Sequence, residues 1–79
     1  MNNKYGGLIW TDHVLSRMQE RDIKQSDVLA ALRNPDSSRY NRSKRNWTYI
    51  RDFGKQKIGI IAKKNENNEW IMLSVWLKE

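Results

Sequence analysis

Hydrophobic positions along the chain fall into two helical repeats followed by three alternating runs. Between Asp12 and Arg21, Val14, Leu15 and Met18 recur at helical spacing among polar residues. Thr11 stands where an N-cap belongs, and Asp12 suits the first turn, where a carboxylate meets the positive end of the helix dipole. Asp22 follows at a position that often needs a left-handed residue, a role Asp fills less well than Gly. Ile23 is placed to pack between this helix and a second one over Gln25–Arg33, whose buried side carries Val28, Leu29 and Leu32. Asn34-Pro35 ends that helix, because the residue before proline avoids helical angles. The short connection predicts a helical hairpin.

Upstream, residues 1–7 are polar and glycine-rich and are expected to fray, while Leu8-Ile9-Trp10 reads as a short edge strand or an extended arm. Residues 36–46 read as a polar loop, with at most a short strand near Arg39–Asn41. Strands are predicted over Trp47–Phe53, Lys57–Lys63 and Glu69–Lys78, with turns at 54–56 and 65–68. In the last run, alternation sets Ile71, Leu73, Val75 and Leu77 on one face and Trp70, Met72, Ser74 and Trp76 on the other. Both faces are apolar apart from Ser74. Either the sheet curls around the second face, or Trp70, Met72 and Trp76 form an apolar surface for a partner, including a second copy of the chain. The predicted fold class is α+β: an N-terminal helical hairpin packed on a curved antiparallel sheet of three to four strands.

Seventy-nine residues suit one domain spanning 1–79. The absence of cysteine removes disulfides and thiolate metal sites and fits a reducing compartment. No apolar run approaches the roughly 20 residues of a membrane span and no hydrophobic signal segment follows Met1, so a cytoplasmic protein without membrane partners is expected. Charge adds more: 15 Lys and Arg against 9 Asp and Glu give +6, a strong positive field on so small a body. Such a field favours polyanions, with nucleic acid first and an acidic protein next.

Two constellations carry candidate chemistry. His13, Arg17 and Arg21 lie in line at i, i+4 and i+8 of the first helix, with Glu20 beside Arg17. Cleaving RNA without a metal requires a base for the 2′-hydroxyl proton, an acid for the leaving 5′-oxygen, and positive groups around the phosphate. Imidazole can fill either proton-transfer role, and guanidinium groups hold phosphate oxygens in bidentate fashion. The same residues are equally compatible with an ordinary solvated ion-pair face. The second constellation is Arg39, Tyr40, Arg42, Lys44 and Arg45, with Trp47 and Tyr49 behind. Basic residues interleaved with aromatics suit phosphate contacts plus base stacking, and a flexible basic loop would read the same way. Lys55, Lys57, Lys63 and Lys64 extend the basic surface. One histidine and dispersed carboxylates supply no ligand set for a metal, and no cofactor is implied.

The run T-x-H-x-x-x-R-M-x-x-R-x-I-x-x-x-D-V-x-x-A-L-x-N-P from Thr11 to Pro35, followed by paired strands and the ending Ser74-Val75-Trp76, resembles the DUF4258 family. That resemblance implies a small fold of the barnase–EndoU–colicin–RelE type, grouped with predicted ribonuclease toxins. It implies a metal-independent endoribonuclease with RNA as substrate and an acidic antitoxin or immunity protein as partner. On it, His13, Arg17 and Arg21 match the family's polar helix positions, and Ser74 falls where threonine is usual and would orient the phosphate. The residues binding flanking RNA would be Arg39, Tyr40, Arg42, Lys44, Arg45 and Tyr49. The sequence departs from the pattern at Asp22, where glycine is usual, at Lys24, where a serine cap is usual, and at Ser74. A non-catalytic basic module binding nucleic acid or an acidic protein is the alternative.

Overall fold

Thr11 starts the first helix as its position predicts: its Oγ1 accepts the Val14 N–H at 3.3 Å and donates to the Met72 carbonyl at 3.0 Å. One side chain thus caps the helix and ties it to the last strand. The computed structural model describes residues 3–5 and 7–78. Its elements are β1 (Asn3–Tyr5), β2 (Leu8–Trp10), α1 (Asp12–Glu20), α2 (Gln25–Arg33), β3 (Ser37–Asn41), β4 (Asn46–Asp52), β5 (Lys57–Lys64) and β6 (Trp70–Lys78). Helix α1 closes in a left-handed turn. Asp22 has φ 54°, Asp22 N–H donates to Gln19 at 3.3 Å, and Ile23 N–H donates to Met18 at 2.8 Å. Ile23 and Met18 then bury together, the apolar contact that accompanies this motif. Lys24 begins α2 with no side-chain cap. No described helix is long and apolar enough to cross a membrane.

The strands form one sheet in the order β1-β2-β6-β5-β4-β3. Two expectations are corrected here. The sheet has six strands rather than three to four, and it is mixed rather than antiparallel throughout, because β2 runs parallel to β6 with Leu8, Ile9 and Trp10 opposite Trp70, Ile71 and Met72. The extra strands come from segments read as polar. Residues 3–5 pair with β2 instead of fraying, and Ser37–Asn41 pairs with β4 along its whole length. Every residue of β3 is exposed, so it carries no hydrophobic alternation for a sequence pattern to reveal.

Both helices cover one face, α1 against β6 and α2 against β5 and β4. The core between the layers is Leu8, Trp10, Val14, Met18, Val28, Ala31, Ile58, Ile60, Ala62, Met72 and Val75, with Trp10 its largest fully buried side chain. Past α2, Arg51 Nη1 donates to the Asn34 carbonyl at 3.1 Å and Asp36 Oδ2 accepts the Asp52 N–H at 2.7 Å, which fixes where β3 begins.

A β-bulge decides what each face of β6 shows. Ile61 pairs with Ser74 and Ala62 with Met72, so Leu73 is an extra residue. The bulge shifts the alternation by one. Trp70 and Met72 therefore share the helix-bearing face with Val75 and Leu77, while Ile71, Leu73, Ser74 and Trp76 lie on the face without helices. The surface expected from Trp70, Met72 and Trp76 does not form: Met72 is fully buried, Trp70 packs on the core, and Trp76 lies on the other side.

Candidate nucleic-acid interface

Helix α1 buries Val14 and Met18 and leaves His13, Arg17, Glu20 and Arg21 exposed. Arg17 Nη1 lies 3.9 Å from Glu20 Oε2, a loose contact between two exposed side chains that contributes little to stability. Arg21 is the C-cap residue. The polar row is therefore presented on a short, anchored helix. Ser74, expected to orient a phosphate held by that row, lies on the opposite face of the sheet, paired with Ile61. The bulge explains the separation. The structure gathers the three helix residues on one element and does not bring Ser74 to them.

The second constellation is more fully built, and on different terms from those expected. Residues 36–46 are a strand and a tight turn rather than a loop. Arg42, Lys44 and Arg45 occupy the turn, Asn41 Oδ1 accepts the Lys44 N–H at 3.2 Å, and Arg45 takes a left-handed φ of 53°. Tyr40 and Arg39 point to opposite faces, because Tyr40 pairs with Trp47 and Arg39 with Thr48. Tyr40 thus opens a row of aromatic rings on the helix-bearing face. Its ring lies 5.0 Å from that of Trp47, Trp47 stacks on Tyr49 at 5.9 Å and 9°, and Tyr49 meets Trp70 edge-on at 6.2 Å. Lys64 Nζ sits 5.3 Å from the centre of the Trp70 ring, within cation–π range.

The row runs from solvent into the core. Tyr40 is 45% exposed, while Trp47, Tyr49 and Trp70 are half-buried. Burial raises the Tyr49 phenol above the usual tyrosine range, so it stays neutral. At the outer end, Tyr40, Arg45, Trp47, Lys63, Lys64, Asn65, Glu66, Ile71 and Leu73 line an open depression of about 740 Å³. Asn65 is committed to its own turn, with Oδ1 accepting from Asn67 and Glu69 N–H at 2.9 Å, and the charged side chains of the lining are Arg45, Lys63, Lys64 and Glu66. The arrangement offers flat stacking surfaces beside basic side chains, a combination suited to single-stranded nucleic acid.

Of the residues expected to bind nucleic acid, Tyr40 and Arg45 line this depression, Arg42 and Lys44 share its turn, Tyr49 lies deeper in the ring row, and Arg39 faces the other side. Sequence reasoning placed Trp70 elsewhere and treated Lys63 and Lys64 only as extensions of a basic surface. Trp70 was hidden by the bulge, which no local pattern marks. Lys63 and Lys64 carried a signal, since they end the middle strand beside a turn.

No curated protein and no solved structure matches the chain. Residues 10–76 match the family described as a domain of unknown function, DUF4258. That span holds both helices, strands β3 to β5, most of β6, the polar row of α1 and the ring row. The chain belongs to the DUF4258 family.

Proposed function

We propose that this protein binds single-stranded RNA at the end of the sheet where the ring row meets the two turns. The observation that carries the reading is the contiguous Tyr40–Trp47–Tyr49–Trp70 row with Arg45, Lys63 and Lys64 around its open end. Bases stack on Tyr40 and Trp47, and phosphates meet the turn cations. Fluorescence anisotropy of a labelled single-stranded oligonucleotide tests it. Affinity should fall with log salt at a slope of about −0.7 per phosphate contact, and replacing Arg45 and Lys64 with Ala should flatten that slope. Equal affinity for single strand and duplex, with no effect of the double variant, would overturn the reading.

A second reading adds metal-independent cleavage of the bound strand. It is favoured by His13, Arg17 and Arg21 standing exposed on α1, on the same side of the sheet as the ring row. In this mechanism His13 takes the 2′-hydroxyl proton, the 2′-oxygen attacks the adjacent phosphorus to form the 2′,3′-cyclic phosphate, and the 5′-oxygen leaves taking a proton from solvent water. Arg17 and Arg21 balance the charge that builds on the phosphate. A ribonuclease-toxin type of fold and an acidic protein partner belong to the same reading, supported by the Thr11–Pro35 pattern. Total RNA incubated with the protein in EDTA should be cut, and His13→Ala should abolish cutting without moving the thermal midpoint. RNA left intact by the native chain would remove this reading while leaving the first in place.

A further inference from the structure

The face of the sheet without helices carries a second aromatic site, built on a missing side chain. Gly59 on β5 stands opposite Trp76 on β6. A Cβ placed on Gly59 would lie 2.2 Å from Trp76 Cε2, 2.3 Å from Cζ2 and 2.7 Å from Nε1. The indole therefore crosses from its own strand and is laid over the Gly59 backbone, which only glycine permits. One side of the ring rests on the sheet. The other faces outward, because both helices cover the opposite face.

Next to this platform the sheet places two lysines directly opposite each other, Lys57 on β5 and Lys78 on β6. Like charges at such a cross-strand pair are unfavourable. Both project into a hollow of about 520 Å³ whose other lining residues are Asp36, Ser37, Ile50 and Asp52. Each carboxylate holds a backbone N–H with one oxygen, Asp36 Oδ2 the Asp52 N–H and Asp52 Oδ1 the Gly54 N–H, both at 2.7 Å, and keeps its negative charge. Among the described residues neither lysine is within salt-bridge distance of a carboxylate. Two ammonium groups thus stand side by side, in a hollow they share with two carboxylates, two residue pairs along the sheet from the indole.

We propose that this face binds a nucleoside monophosphate unit, free or within a single strand, with the base stacked on Trp76 and the phosphate between Lys57 and Lys78. The step from Trp76 to Lys78 along the strand is about 7 Å, the scale of the span from a base to its own phosphate. Base–aromatic stacking and contact with the paired ammonium groups act together. Ser74, two residues from Trp76 on the same face, puts a hydroxyl at the other rim. This hollow shares no lining residue with the depression at the open end of the ring row, which reaches the same face through Lys63, Ile71 and Leu73.

The four tryptophans give four indole N–H signals in a 1H–15N correlation spectrum, and Trp76→Phe assigns the one that matters. The full chain is titrated with adenosine monophosphate, with a short adenylate oligonucleotide, and with inorganic phosphate. The Trp76 signal should move saturably with the first two, and replacing Lys57 and Lys78 together with Ala should weaken the response by about tenfold. Tighter binding of the oligonucleotide assigns the site to a strand, and equal binding to free nucleotide. A Trp76 signal that stays fixed, that follows inorganic phosphate equally, or that ignores the double variant would overturn the proposal. Both lysines are exposed, so the double variant keeps the fold. Movement of the Trp47 and Trp70 signals alone would support the ring-row reading and count against this one.

Discussion

At the scale of single residues, Thr11 caps α1, Asp22 closes it in the left-handed region and Asn34-Pro35 ends α2. Asp22 takes a φ of 54°, where a side chain costs roughly 1 kcal/mol. Asp22→Gly should therefore raise the thermal midpoint by about 4–8 °C for a domain of this size, read by circular dichroism. Glu69 makes a second test. Its carboxyl is held below the usual range first by its hydrogen bond to Lys4, 2.9 Å away, and then by Asn65. A folded-state pKa below the unfolded one stabilises the fold above the unfolded value and is lost as pH falls through the folded one. The gap in urea midpoint between the native chain and Glu69→Gln should be present at neutral pH and close as the pH drops below about 4.

Elements were legible where one face is buried and the other wet. β4 and β5 read correctly because β4 alternates Trp47, Tyr49 and Arg51 against Thr48, Ile50 and Asp52, and β5 is a short apolar run bounded by turns. β3 was legible only as a short strand near Arg39–Asn41, since an edge strand exposed on both sides has no period; β1 lies in a polar segment that pairs with β2, and the parallel pairing of β2 depends on a partner some 60 residues away. The bulge at Leu73 is the instructive failure. Alternation through Trp70–Lys78 looked regular because both faces are apolar, and one extra residue exchanged Val75 and Leu77 for Trp76 and Ser74. This gives a prediction opposite to intuition. Deleting Leu73 from a central strand should leave cooperative unfolding intact, because Met72 and Val75 keep the core face without the bulge. Deleting Thr48 from β4, where no bulge absorbs the change, should abolish it.

At the scale of the whole molecule, a charge of +6 is spread over a sheet whose two faces do different things. One face carries the helices, the polar row of α1 and the ring row; the other carries Trp76 over Gly59 and the paired lysines. Sequence alone showed the first constellation's residues and much of the second's. It could not show that Ser74 and His13 would be separated by the thickness of the sheet, because that follows from a single inserted residue. The central claim is that RNA lies on the ring row. Photo-crosslinking of a 4-thiouridine-substituted single strand to the full chain, followed by peptide mass spectrometry, tests it most directly. Adducts on Tyr40 or Trp47, lost in Tyr40→Ala, are the predicted result; adducts confined to α1, or none above a duplex control, would contradict it.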